Sequence, residues 1–511
     1  MRSLRFIFVF MVFFSFQASA YDLKEMAKLF KEDVKNAPKD TYEDYIRSRP
    51  DVPLFISERQ VFPAPVNGIK SKSISKILVI TESAIYSQTE SRVLRYVNDI
   101  QNVYGCTVVS QQASASIHPV ALKNMLINEW NLGAINGVVL IGNLPAGWFE
   151  IENDFYEYGY AEFPCDLFLM DLNGTWTDSD SNGKYESHTG SLINPEIFVG
   201  RISTANMGTL TSELQGMMDY LDKNHSYWAG ITTVNQLKGL TYTDKDWADY
   251  DEFLYDIQYL YSDYDAVTAY NSFCNKTDYL NRLSGGVYEF VQLSCHSSWE
   301  KHYMYGTSAN YTLIYTNEIF SLPPKAIAYN LFCCSGVRWT NTDTDGFLGG
   351  AYVYHTGSKA MVSVGSTKTG SMLGFSDFYI SLSNDRAVGQ ALKNWWISYV
   401  GSIHDFDEIC WFYGLSIIGD PMIDPKYVAP AEPAVPLNVT TSASGTDIYI
   451  SWDAVSGAAS YKIYGSDDPY APDPWVLLDS VSGTSYLYTG TENRKFFKVT
   501  ASTDAVIRQN W

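Results

Sequence analysis

The chain has 511 residues, 46% of them apolar, and a net charge of −21 with no long basic stripe. That apolar content supports a large core, and the acidity argues against a nucleic-acid partner, because phosphate binding needs clustered Lys and Arg. The seven cysteines (Cys106, Cys165, Cys274, Cys295, Cys333, Cys334 and Cys410) are too sparse for a disulfide scaffold and include no C-x-x-C pair for zinc.

In chain order, MRSLR is followed by the apolar run FIFVFMVFFSF and then by QASA before Tyr21. A basic start, an apolar stretch and an A-x-A-like end predict a cleaved signal peptide over residues 1–20. The apolar run is too short to span a bilayer, and no later stretch reaches the roughly 18 apolar residues a spanning helix needs. The mature chain is therefore expected to be soluble and secreted, cell-surface or periplasmic, with no transmembrane segment. In an exported protein the odd cysteine count leaves at least one thiol unpaired within the chain. Residues 21–75 are polar and mixed, with a helix expected around 23–34, and read as an N-terminal extension or pro-segment.

From Lys76 strands and helices alternate. KILVIT (76–81) reads as a strand, and Ser87 with Glu90 as the capping box of a helix ending at Gly105. A helix follows over 119–130, then strands over 137–142, 168–172 and 196–202. After a helix near 208–222 come a strand over 237–243, a helix over 249–261, and strands over 287–294, 325–332 and 359–364. A helix over 385–400 ends the series. This alternation predicts an α/β fold with mostly parallel sheets covered on both faces. Two units are expected side by side, over 76–230 and 231–427. VAPAEPAVP (428–436) reads as a semi-rigid linker. Beyond it the period becomes two, which predicts a small all-β sandwich over 437–505. The runs carrying Trp452, Tyr461 and Phe497 resemble a fibronectin type III module.

In an open parallel sheet ligands bind beyond the carboxyl ends of the strands. Two strand-like runs end in reactive side chains: VYEFVQLS leads into Cys295-His296-Ser297, and KAIAYNLF into Cys333-Cys334-Ser335-Gly336. If the strands are neighbours, an imidazole and a thiol share one edge, as thiol catalysis requires. The bland alternatives are a small core cysteine and a loop histidine.

Strand–His followed by strand–Cys-x-x-Gly resembles the caspase–legumain–gingipain clan of cysteine peptidases. The stretches FLMDLNGTW, DSDSNGKY, PEIFVGRI, FLGGAYVYHTGSKAMVSVGSTKTGSM and WFYGLSIIGDPMID resemble the gingipain type in particular. The resemblance covers roughly 76–425. It implies a caspase-like, gingipain-like layered domain and an exported cysteine endopeptidase acting on protein or peptide substrates. His296 and Cys333 would form its dyad, and the backbone N–H groups of Ser297 and Cys333 its oxyanion hole. Ser297 stands where the family usually has Gly. The clan also places a pocket wall after the next strand, at Lys368 and Met372. There Met372 would be an apolar wall and Lys368 a charge, whereas Asp244, Asp246 and Asp249, after another strand, would favour a basic substrate residue; these cues conflict, so the specificity stays open with a lean to Arg or Lys, and Asp246 is counted with the pocket. His302 reads as a loop or rim residue.

The loop DSDSNGKYE begins like an oxygen-ligand calcium loop, with Asp178, Asp180, Asn182 and Glu186 as candidate ligands. Thr189 stands where an EF-hand has its closing Glu. The alternative is a solvated acidic turn, and thiol catalysis itself calls for no metal or cofactor. The competing functional reading is an inactive peptidase-like surface or secreted protein, with the C-terminal module binding a surface or a glycan. A serine-type α/β hydrolase ranks last, because no G-x-S-x-G elbow is present.

Overall fold

The computed structural model describes residues 23–30, 33, 35, 40–65, 73–154, 159–189, 194–232, 236–270, 274–308, 310–341, 345–385, 387–403, 405–429, 435–470, 475–489 and 495–502. The expected signal peptide and most of the expected linker lie outside these residues. Among the described residues, no helix is long and apolar enough to cross a membrane.

Eleven strands build the main sheet. In chain order they are β1 (Gln60–Phe62), β2 (Lys76–Glu82), β3 (Thr107–Ala113), β4 (Gly137–Ile141), β5 (Phe198–Ile202), β6 (Lys238–Thr243), β7 (Asp263–Thr268), β8 (Phe290–Ser294), β9 (Ala328–Phe332), β10 (Val362–Ser366) and β11 (Leu415–Gly419). Their spatial order is β1-β3-β2-β4-β5-β11-β10-β9-β8-β6-β7. Pairing is parallel except at β1 against β3 and at β10 against β11. The strands expected to form two sheets share one sheet. The late strand β11 joins them into one continuous sheet, parallel to β5 and antiparallel to β10. Strands of the second unit therefore run opposite to those of the first.

The β-branched apolar runs explain the central strands. β2, β4, β5, β8, β9, β10 and β11 are buried almost throughout, as strands covered by helices on both faces must be. The helix Ser83–Tyr104 covers β2 and β3 with Val93, Val97 and Ile100, and it stops at Gly105, whose φ of 60° suits a residue without a Cβ. Its start differs from the sequence reading. The helix begins four residues before Ser87, whose hydroxyl donates to the Ala84 carbonyl inside the first turn.

Two further expectations are corrected. FLMDL is not a strand: Leu167–Met170 form one buried helical turn. A five-residue run with four apolar residues is too short for its period to separate a strand from a helical turn. The helix expected over 385–400 is in fact the second of two, Phe375–Asp385 and Val388–Ser398.

The C-terminal module folds as two three-stranded antiparallel sheets around Ile450, Trp452, Tyr461, Ile463 and Val499. The alternating pattern seen in the sequence is the pattern of inward and outward side chains here.

Candidate active site

Register decides which side chains meet. β8 and β9 are parallel neighbours with Ser294 opposite Phe332. The next residues, Cys295 and Cys333, are therefore level with each other, as are His296 and Cys334. Successive side chains alternate in direction, and the contacts follow that alternation. The Cys295 and Cys333 sulfurs are 3.8 Å apart. His302 comes from the strand Lys301–Met304, which pairs with His296–Ser297. Its Nδ1 lies 3.4 Å from Cys295 Sγ and 3.6 Å from Cys333 Sγ. His302 is thus a fully buried partner of the thiols, not the loop or rim residue expected from sequence.

His296 is held on another set of contacts. Its Nδ1 meets Asp33 Oδ2, and its Nε2 lies 2.8 Å from Asp246 Oδ2. Two carboxylates, one at each nitrogen, require the doubly protonated ring. Burial opposes that charge, but Asp33 and Asp246 outweigh it and raise the imidazole to about 10. In return, the hydrogen bond from His296 lowers the Asp246 carboxyl. Cys333 also has opposed influences. Burial raises its thiol, while hydrogen bonding from Cys295 and the nearby His302 bring it below the usual thiol value. Burial raises both Cys295 and Cys334 well above it.

The expected oxyanion donors are both engaged. Ser297 N–H donates to Asp33 Oδ1 at 3.0 Å, and Cys333 N–H to the Leu331 carbonyl at 2.8 Å. The Ser297 hydroxyl donates to the Cys334 carbonyl at 2.6 Å, tying the two strand ends together. Ser335, in the turn after the cysteines, has φ 56°, a strained value for a residue with a side chain.

Described residues of the N-terminal segment pack against this edge of the sheet. Phe30 is buried among Trp247, His296, Phe332 and Trp411, with ring centroids 5.2–6.2 Å away. Burying such a ring contributes about 1.5–3 kcal/mol. Farther along, Asp40 accepts from Arg338 Nε at 3.0 Å in a buried ion pair. Sequence reading missed Asp33, and nothing in its polar neighbourhood signals it. Cys295 was legible in principle, since it follows its strand as Cys333 follows the next.

The expected pocket residues are placed differently. Asp246 lies against His296 rather than in a pocket wall. Lys368 is buried, with Nζ 2.9 Å from Asp154, and Met372 is a core residue whose sulfur meets Asn330 Nδ2. Asp244 accepts the N–H groups of Lys245, Tyr305 and Gly306, and Asp249 accepts from Tyr270. Of these acids Asp244 is buried and committed to the backbone of the 305–306 turn, while Asp249 is exposed.

In the 178–186 loop the Asp178 and Asp180 carboxylates converge on the Asn182 N–H at 3.0 and 3.1 Å. Glu186 accepts from Ser179 N–H at 2.6 Å, and Asn182 Nδ2 donates to Glu150 and Asp180. The loop closes on its own donors.

The continuous α/β sheet, with thiol and imidazole at the ends of neighbouring parallel strands, has a gingipain-like fold and is followed by a small all-β sandwich. The chain is similar to the complex of Porphyromonas gingivalis RgpB pro- and mature domains, with a TM-score of 0.51, 14% identity, and 85% of this chain and 98% of that one covered. It is also similar to the Arg-specific cysteine proteinase gingipain R (RgpB), with a TM-score of 0.48, 14% identity, and 86% and 98% covered. A short part of the chain is similar to FN3tt, with a TM-score of 0.14, 20% identity, and 15% of this chain and 85% of that one covered. No protein-family model and no curated protein matches the chain.

Proposed function

We propose that the chain is an exported cysteine endopeptidase in a latent conformation, with Cys333 as nucleophile and His296 as its acid–base partner. The observation that carries this reading is the placement of Cys333 and His296 at the same carboxyl edge of adjacent parallel strands on a gingipain-like sheet. In the active form Cys333 thiolate attacks the peptide carbonyl, and Ser297 N–H helps hold the oxyanion. His296 then protonates the leaving amine and activates the water that releases the acyl group. Asp246 orients the ring through Nε2 in the latent form.

The N-terminal segment acts in this reading as a shutter. Asp33 occupies the Ser297 N–H and pairs with His296, and Phe30 anchors the segment in an aromatic pocket. A carboxylate on that N–H sits where an oxyanion would sit. Release of the segment frees His296 from Asp33.

The Cys333–His302 contact favours a second assignment, in which His302 is the working base. Digestion of a peptide library by the intact protein, by a form cleaved between the N-terminal segment and Lys76, and by Cys333→Ala tests the proposal. Cleavage should be greatest after removal of the segment and absent in Cys333→Ala. No cleavage by any form would leave an inactive peptidase-like binding protein. His296→Ala and His302→Ala then separate the two assignments.

A further inference from the structure

Cys295, His302 and Cys333 form a compact buried triangle of soft donors: the ligand atoms lie within 4.8 Å of one another. Its sides are 3.8 Å between the sulfurs, and 3.4 and 3.6 Å from each sulfur to His302 Nδ1. A tetrahedral zinc ion with bonds of about 2.3 Å to sulfur and about 2.0–2.1 Å to nitrogen requires S···S near 3.8 Å and S···N near 3.5 Å. The triangle already has these dimensions.

The surroundings accommodate the imidazole in the ligating form. His302 Nε2 lies 3.0 Å from the Tyr352 hydroxyl, which is itself 2.7 Å from the Tyr279 hydroxyl. With Nε2–H donated to Tyr352, Nδ1 presents its lone pair to the two sulfurs. The two cysteines are set opposite each other by the β8–β9 register, and His302 is fixed by its own strand pairing. All three side chains are buried.

We propose that Cys295, His302 and Cys333 bind a thiophilic divalent cation of the zinc class. On binding, the two thiols release their protons to solvent. Two thiolates, one neutral imidazole and a divalent ion then sum to zero charge, the state a buried site accommodates best. Three protein ligands leave one coordination position open. Because Cys333 is a ligand, the ion masks its thiol. The consequence of that masking rests on the peptidase reading; the metal site does not.

The test uses the intact protein, reduced and stripped with a chelator, then titrated with zinc and in parallel with cobalt. About one equivalent of zinc should bind, and cobalt should produce a thiolate charge-transfer band. X-ray absorption on the zinc-loaded protein should show two sulfur ligands and one imidazole. Zinc should slow alkylation of Cys333, and chelation should restore it. Cys295→Ser and His302→Ala should lose the cobalt band, while Cys106→Ser keeps it. Three results would overturn the proposal: no binding by the folded, reduced wild type, absorption without sulfur ligands, or a Cys295–Cys333 disulfide recovered in place of metal. Stoichiometry and spectra are read without substrate, so a failed metal site and a failed peptidase assignment give different results.

Discussion

Asp33 and His296 are 263 positions apart in the chain, yet they share a hydrogen bond at the carboxyl edge of the main sheet. The same carboxylate takes the Ser297 N–H. One residue of the N-terminal segment therefore engages both an imidazole and a backbone donor at the strand ends.

Asp33→Asn should loosen this hold. With one carboxylate removed, the His296 pKa should fall from about 10, and Cys333 should alkylate faster. The sign of the pH effect follows. His296 is raised above its unfolded value of about 6.5, so its stabilising contribution is complete below about 6.5 and is lost as pH rises toward 10. In wild type the segment should thus loosen in alkali. Imidazole NMR titration and alkylation rates across that range measure both effects. An unshifted His296 and an unchanged alkylation rate in Asp33→Asn would end the shutter reading.

Cys333→Ala should abolish hydrolysis by the protein freed of its N-terminal segment, whereas Cys334→Ala should retain much of it. The thiol of Cys333 is the one brought below the usual value, while burial raises that of Cys334. Loss confined to Cys334→Ala would move the nucleophile by one residue, onto the sheet face that register gives to His296.

Asp166→Ala should destabilise the first unit by about 3–5 kcal/mol, because it strands a buried guanidinium. Arg201 makes hydrogen bonds of 2.6–3.0 Å to Asp166 and also donates to the Leu144 and Pro145 carbonyls. A urea melt read by tryptophan fluorescence checks the magnitude. A midpoint equal to that of wild type would mean that water reaches the charge.

A chain ending near Tyr427 should fold and cleave short peptides at nearly the full rate. The module has its own core of Ile450, Trp452, Tyr461, Ile463 and Val499, separate from the main one. Only large or surface-bound substrates should be cut more slowly, through lost local concentration. Insolubility of the shortened chain would show that the module completes the packing of the main domain.

Calcium should raise the melting temperature through the 178–186 loop, and Asp178→Ala should remove the increase. The Asp178 and Asp180 carboxylates already converge on one backbone N–H, so an ion would replace that donor with stronger charge neutralisation. Identical melting curves with calcium and with a chelator would assign the loop to its own hydrogen bonds.

Strands β2, β4, β5, β6, β8, β9 and β10, the break in pattern before the C-terminal sandwich and the placement of His296 and Cys333 at strand ends were legible in the sequence, whereas β1, β3, β7 and β11 were missed. The legible features rest on local periodicity, and burial on both faces of a parallel sheet imposes unbroken apolar runs such as β2 and β9. What each side chain touches was decided only by tertiary structure. The strand register set Cys295 against Cys333, a hairpin return delivered His302 to them, and β11 fused the two units into one sheet. A search for C-x-x-C spacing could not find the thiol–imidazole triangle, because its ligands come from three strand ends and not from one loop. Nor could any local pattern connect Asp33 to His296. That contact depends on where the buried Phe30 anchors the N-terminal segment, and long-range packing of this kind leaves no period in the chain.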